Sequence, residues 1–263
     1  MAEAVDPAFD RPDTGFNTLN GWSWVGCYGG YYLQSDLLAD FEHGFFTRLW
    51  HGRGPDVLAG YVSAGVSVHR PQQVHSALVL PASRASGEPW PEADGLVSDS
   101  GAQSLWVCGA DCTPVLIADP DSGQVAACHA GWRGVAGQIL RGAISQLEQQ
   151  GCRRERLLVA LGPAIAGANY QVDQTVVTAI ASSLGNDGEA QMQRAGTISA
   201  DPEPERWRLD IRGAAALQLL QLGISGAHIS RCPLCTFENA QLFHSWRRDQ
   251  RKAVQWSGII SQG

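Results

Sequence analysis

The sequence has no basic stretch. It holds 19 Lys+Arg against 26 Asp+Glu, a formal charge of −7, which argues against nucleic acid as the main partner. Small anions remain open, since they need only a local cluster of arginines. No apolar run reaches the length of a membrane-crossing helix, so no membrane partner is expected. The first fifteen residues contain Asp6, Asp10 and Asp13 and lack the basic start and apolar stretch of a secretory signal. A cytoplasmic protein is therefore expected, with its 7 cysteines as reduced thiols rather than a disulfide framework. No G-x-G-x-x-G or Walker A sequence is present, which removes the common nucleotide-cradling loops. The H-x-E and P-C-x-x-C pair of cytidine-type deaminases is also missing. Cys232-Pro233-Leu234-Cys235 is the only C-x-x-C, without the second pair of a structural zinc site or the βαβ context of a redox site, so packing is its expected role.

What is present suits an ordinary globular protein. The chain has 263 residues, 44% hydrophobic and 17% charged, ample for a buried core. Residues 1–15 read as a frayed tail, and residues 16–263 as one catalytic domain without internal repeat or long linker. Residues 19–34, rich in Trp, Tyr and Gly, predict strands or a hairpin. Leu37 to Phe46 suits a short helix, and the proline-bearing residues 81–94 a loop. Leu105–Ala110, Pro114–Asp119, Val125–His129, Leu157–Leu161 and Ile224–Ile229 read as strands. Gly134–Leu147, Thr175–Leu184 and Ile211–Leu222 read as helices by their apolar spacing. The class is α/β of the α+β type, since the alternation is too irregular for a doubly wound fold.

Three residues in unusual settings carry the chemistry. His75 closes Gln73-Val74-His75, Cys112 follows Asp111 in a break between two apolar runs, and His129 opens His129-Ala130-Gly131-Trp132-Arg133-Gly134. Two imidazoles and a thiolate are ligands zinc accepts, with a fourth position open for water or substrate. All three fall near strand ends, where loops gather distant residues. Taken singly, each is more often structural, and their separation in sequence gives no compact ligand spacing. Cys108 and Cys128 lie inside apolar runs and read as core. Arg133, beside a helix start with glycines, is a candidate anion ligand, equally well a solvated side chain. Arg247 and Arg248 could add to that pocket, though surface ion pairing is the commoner role.

His129–Gly134, Asp111–Val115 and Gln73–His75 together resemble the YfiH-like family, named in turn multicopper polyphenol oxidase, laccase-domain protein, purine nucleoside phosphorylase and peptidoglycan editing factor. The likeness extends to His43–Arg48, Leu161–Ile165 and Phe243–Arg248, and so spans roughly residues 40 to 260. Any one block is weak; their ordered combination is specific. The resemblance implies a layered sandwich of mixed β-sheets flanked by helices. It also implies a zinc ion held by His75, Cys112 and His129. The implied activity is phosphorolysis of adenosine, inosine, guanosine and methylthioadenosine, with deamination of adenosine. Purine nucleosides and phosphate are then the partners, Arg133 the candidate phosphate ligand, and Asp111 the guess for the group that protonates the departing purine. Oligomeric state is not readable. The chain departs from the family pattern at Ala168-Asn169, at Ser76 in place of a glycine, after Thr47-Arg48, and at Arg251-Lys252-Ala253. None of these touches the three proposed ligands; they bear on substrate preference.

Three other functions compete. The His–Cys–His set could hold Cu2+ in vitro, but a multicopper laccase needs many more histidines, usually as H-x-H. This chain has 7, none so paired. A thiol amidase acting on peptidoglycan precursors would use Cys112 as nucleophile and His129 as base. A non-catalytic zinc-stabilised binding domain would bind metal and nucleoside without turnover.

Overall fold

The computed structural model describes residues 19–27 and 30–263. The expected tail over residues 1–15 lies outside them. The chain first lays down β1 (Trp22–Cys27), β2 (Gly30–Ser35), β3 (His43–Phe46), α1 (Pro55–Val62), β4 (Ser67–His69), β5 (Val79–Pro81) and β6 (Gly95–Val97). The middle holds β7 (Gln103–Gly109), β8 (Thr113–Ala118), β9 (Val125–Ala130), α2 (Trp132–Ala136), α3 (Ile139–Gln149) and β10 (Leu158–Leu161). Then come β11 (Gln171–Asp173), α4 (Gln174–Ser183), α5 (Gly188–Arg194), β12 (Ile198–Ala200), β13 (Arg206–Leu209) and α6 (Ile211–Gln221). The chain closes with β14 (Ile229–Arg231), α7 (Trp246–Asp249) and β15 (Gln255–Ile260).

Two six-stranded sheets stack face to face, in the orders β1-β2-β3-β15-β7-β4 and β14-β10-β8-β9-β6-β5; β11-β13-β12 form a small third sheet. Both large sheets are mixed: β4 runs parallel to β7, β5 to β6 and β10 to β14, and the remaining pairs are antiparallel. The period-2 alternation of strands sets the layers. From β7, Leu105 and Val107 point into the space between the sheets, where Leu116, Ala118, Val125 and Ala127 meet them. Trp106 points the other way, to a cluster with Phe46, Trp50 and Leu58 of α1. A Cβ on Gly258 of β15 would sit 2.6 Å from the Trp106 ring, so glycine is what lets that indole lie flat on its neighbour strand. Val115, Ile117, Ala126 and Cys128 face the opposite side and pack under α3, α4 and α6. The layers are therefore helix, sheet, sheet, helices, the sandwich that the family resemblance implies. Each fully buried Leu, Ile or Val contributes about 1.5–3 kcal/mol against exposure, which makes the two faces of β7, β8 and β9 the anchor of the site.

The antiparallel strands β1 and β2 within residues 19–34, the three middle strands, Leu157–Leu161 and the helices over 175–184 and 211–222 stand as expected. Three elements differ. Instead of a helix over 37–46, a short 3-10 turn (Asp36–Leu38) precedes β3. The His43 ring fixes this: Nδ1 donates to Phe41 O at 2.8 Å and Nε2 accepts from Ser35 N at 2.8 Å, so tertiary pairing overrides helical spacing. The helix expected over 134–147 is two helices, split at Gln138 in the left-handed region (φ 61). The strand expected over 224–229 forms later, at 229–231, because Ser225 caps a 3-10 turn over Gly226–His228. The loop over 81–94 begins with a 3-10 turn at Ala82–Ala85 and is otherwise irregular.

Candidate metal centre

The site sits at one open end of the space between the large sheets. β7 belongs to one sheet and β8 to the other, and Ala110-Asp111-Cys112 cross between them. The crossing is tight, and Asp111 adopts φ 88, a left-handed conformation costing a non-glycine residue about 1–3 kcal/mol. Four hydrogen bonds hold it there. Asp111 Oδ1 accepts from Thr236 Oγ1 at 2.6 Å; Oδ2 accepts from Ser245 Oγ at 3.0 Å and Arg247 N at 2.7 Å; its carbonyl accepts from Ile165 N at 3.0 Å. The carboxylate thereby fastens the Cys112 turn to the segment carrying Trp246 and Arg247. With three donors converging on it, Asp111 acts as an acceptor that positions its neighbours.

His129 occupies β9 opposite Pro114, on the face that Val125 and Ala127 turn toward the inter-sheet space. Asp94, just before β6, lies wholly buried beside it. His129 N donates to Asp94 O at 2.7 Å, and Nδ1 donates to Asp94 Oδ1 at 2.8 Å. This directs Nε2 outward as the available ligand atom, the usual way a buried carboxylate orients a metal-binding histidine. The same carboxylate accepts from His75 N at 3.0 Å, Val74 N at 3.2 Å, Ser76 N at 2.6 Å and Ser76 Oγ at 2.8 Å. His75 itself has φ 60. Asp94 thus holds the turn that aims one histidine and the ring of the other. Ser76, which departs from the family's glycine, adds a hydroxyl donor to the same acid.

The three ligand atoms of His75, Cys112 and His129 lie within 4.8 Å of one another. The two imidazole rings are 4.9 Å apart at 81°. Burial works to raise the Cys112 pKa, but the charge of His129 and hydrogen bonds from His129 and His75 outweigh it, leaving the thiol below its ordinary range. Burial works against the His129 cation, and the Cys112 thiolate with Asp94 outweighs it in turn. A Cβ on Gly131 would lie 2.9 Å from Cys112 Sγ and 3.6 Å from His75 Cδ2. That cradle exists only because residue 131 is glycine. A soft anionic sulfur, two imidazoles, a buried orienting carboxylate and an open front fit a borderline-soft divalent ion such as zinc.

The group opens on a cleft of about 620 Å³, within the size range of small-molecule sites. Trp132, Tyr170 and Trp246 supply aromatic walls, and Arg133, Arg247, Arg251 and Lys252 supply cations. The Arg133 guanidinium sits 4.3 Å from the Trp132 ring centre, and Arg247 sits 5.1 Å from that of Tyr170. Burial and the nearby Cys112 charge push Tyr170 up to about 12, so its phenol stays protonated. Arg248 is not brought in. Its guanidinium donates to the carbonyls of Thr236, Phe237 and Phe243 and pairs with Asp249. Cys108, expected in the core, is half-buried and reaches the cleft wall, and burial pushes its thiol up to about 12. Cys128 is core, and Cys232 and Cys235 are buried free thiols, as packing residues should be.

Asp94, Thr236, Tyr170 and Trp132 belong to the site without being foreseen from the sequence. An isolated acid between small and apolar residues in Ala93-Asp94-Gly95-Leu96 was the one signal available for Asp94, since such a charge must be paired if buried.

Residues 57–261 match the family described as multi-copper polyphenol oxidoreductase laccase. The chain belongs to this family. A Synechocystis member named purine nucleoside phosphorylase is 41% identical over 256 residues, covering 91% of this chain and 97% of that protein. A Corynebacterium glutamicum protein of the same name is 33% identical over 191 residues, 72% of each chain. The crystal structure of YlmD from Geobacillus stearothermophilus superposes with a TM-score of 0.78 at 24% identity, covering 91% of this chain and 99% of that one. The family's description mentions several coppers, yet the described residues gather a single His–Cys–His group. His43 and His69 are spent on backbone hydrogen bonds in the interior. No second group of three or more such ligands forms among the described residues. No helix among them is long and apolar enough to cross a membrane.

Proposed function

We propose that this protein is a zinc-dependent purine nucleoside phosphorylase acting on adenosine, inosine, guanosine or methylthioadenosine, with accompanying deamination of adenosine. One observation carries the reading. The His75–Cys112–His129 group opens directly onto a cleft that has both aromatic walls and guanidinium groups without an ion-pair partner among the described residues, in a chain 41% identical to a protein of that name.

In phosphorolysis a phosphate oxygen bonds to ribose C1′, the bond from C1′ to the purine nitrogen breaks, and the purine takes up a proton. The residues divide these tasks. Arg133 and Arg247 hold the phosphate, each in a frame that stacks its guanidinium on an aromatic ring and so limits its freedom. Trp132, Tyr170 and Trp246 offer faces for the purine. Tyr170, protonated and lining the cleft, can donate a hydrogen bond to the departing base. Asp111, occupied by three donors, holds Arg247 and Trp246 in place rather than giving a proton. A zinc ion held by His75, Cys112 and His129 would supply Lewis acidity beside the purine when bound. Deamination replaces the amino group on the purine ring by oxygen from water and releases ammonia.

A second reading rests on Asp94, His129 and Cys112. A carboxylate on Nδ1 and a thiolate beside the ring form the layout of a thiol hydrolase. In that amidase Cys112 attacks the carbonyl, the C–N bond breaks as His129 protonates the departing amine, and water then cleaves the thioester to release the acid. Chelation separates the two. Activity that vanishes with the metal and returns with zinc supports the phosphorylase; activity on a muropeptide amide that survives chelation supports the hydrolase. Product chromatography from inosine and adenosine, with and without phosphate, tests the first reading. Free base must appear only with phosphate, and inosine from adenosine adds deamination.

A further inference from the structure

A second cleft lies across the 251–253 strap, whose Arg251 and Ala253 also line the large one. It measures about 250 Å³ and is lined by Arg48, His51, His244, Ser245, Asp249 and Arg251. At about 30 Å³ per water this is the space of about eight waters, ample for a phosphate group with an attachment. None of its residues belongs to the metal centre.

Its cations outnumber its acids: Arg48 and Arg251 face a single carboxylate, Asp249. Asp249 is the one acid in the lining, and Arg248 engages both of its oxygens, Nε to Oδ1 at 2.9 Å and Nη2 to Oδ2 at 2.8 Å. Ser245 Oγ is committed to Asp111. Neither Arg48 nor Arg251 has an ion-pair partner among the described residues. Arg48 is anchored on one side only, through Nη1 to Ala240 O at 2.7 Å, which leaves most of its donor fork unused. The His51 and His244 rings meet edge-on at 5.1 Å between centres. His244 is 7% exposed, and its Nε2 is buried without a hydrogen-bond partner. Its backbone is fixed on both sides by the Gln255 amide, at 2.8 Å and 3.2 Å, so the ring is held ready. Buried polar atoms normally find partners, and in the tautomer with its proton on Nε2 the ring can donate to an anion oxygen in the cleft. Burial and the charges of Arg48 and His51 also hold His244 largely uncharged, which an anion in the cleft would relieve.

We infer that this cleft is a second anion site that takes a phosphate group through Arg48, Arg251, His51 and His244. The site uses no metal ligand and neither Arg133 nor Arg247; it shares Arg251 with the rim of the large cleft. The shared chemistry is a tetrahedral dianion, supplied either as inorganic phosphate or as a sugar phosphate ester.

The test is nuclear magnetic resonance of the imidazole C–H signals in the zinc-loaded full chain. His51→Asn and His244→Asn assign the two rings. Inorganic phosphate and ribose 5-phosphate are titrated separately at constant ionic strength, with chloride as control. Saturable shifts at both rings, weakened at least ten-fold in Arg48→Gln and unchanged in Arg133→Gln, establish the site. Whichever compound binds more tightly names the source. Shifts that vanish in Arg133→Gln but persist in Arg48→Gln assign the phosphate to the large cleft and overturn the inference. So do shifts that chloride reproduces, or none at all. Circular dichroism checks that Arg48→Gln folds, and His51→Asn, which must also weaken binding, replaces it if it does not.

Discussion

Replacing Asp94 by asparagine changes little in volume and should disable the metal centre. The carboxylate accepts five hydrogen bonds, two at Oδ1 from His75 N and His129 Nδ1, and three at Oδ2 from Val74 N, Ser76 N and Ser76 Oγ. An amide keeps one acceptor and turns the other position into a donor. With the NH2 at Oδ2 it opposes two backbone N–H groups, which cannot adapt. With the NH2 at Oδ1 it opposes the His75 backbone N–H, while His129 can adapt by moving its proton from Nδ1 to Nε2. That tautomer satisfies the new amide and removes the lone pair meant for a metal. Loss of such an orienting partner typically costs about 10–100-fold in metal affinity. Hydrogen bonds to a charged group are worth about 1.5–3 kcal/mol each, so metal-free protein should lose about 2–4 kcal/mol as well. Competition against a chromophoric zinc chelator reads the first effect, and thermal unfolding of metal-free protein the second. Wild-type zinc affinity in a folded Asp94→Asn variant would refute the role given to the Asp94–His129 contact.

Further variants probe neighbouring links. Gly131→Ala places a methyl 2.9 Å from Cys112 Sγ; zinc affinity should fall at least ten-fold by the same titration, with little change in unfolding temperature. Cys112→Ala and His129→Ala should each lose bound metal, read by elemental analysis, together with turnover. Burial, with Arg48 and His51 close by, holds His244 at about 4 against an ordinary 6.5. The unfolded chain therefore takes up a proton there that the folded chain refuses, and stability falls as pH drops from 6.5 toward 4. At about 1.36 kcal/mol per pKa unit the loss is at most about 3.4 kcal/mol. His244→Asn should flatten that stretch of a urea-unfolding pH profile, and an unchanged slope would contradict the assignment.

The three side chains of the candidate metal centre stood out in the sequence as residue types in unusual settings, and the structure brings them together; the long middle strands were legible from their apolar runs. What the sequence hid was pairing at a distance. β3 looked helical because local spacing cannot see that the His43 ring closes a turn through Ser35 and Phe41. The break at Gln138 was masked by apolar residues that continue in helical register on both sides of it. Asp94 lies 35 positions from His129 and becomes visible only when β6 pairs with β9. Arg247 and Arg248 look alike in sequence, yet one faces the cleft and the other is bound to backbone carbonyls. Side-chain direction after a short helix start is a tertiary property, so the pair could not be separated beforehand. Tyr170 and Trp132 were hidden because aromatic residues are more often core than cleft.

The most direct measurement follows phosphorus-31 resonance of inosine, phosphate and zinc-loaded protein, with Cys112→Ala in parallel. Ribose 1-phosphate should grow as inorganic phosphate declines in the wild type, stop on chelation, return with zinc, and be absent in the variant. No sugar phosphate from the wild type, or equal amounts from Cys112→Ala, would contradict the assignment of phosphorolysis to the His75–Cys112–His129 centre.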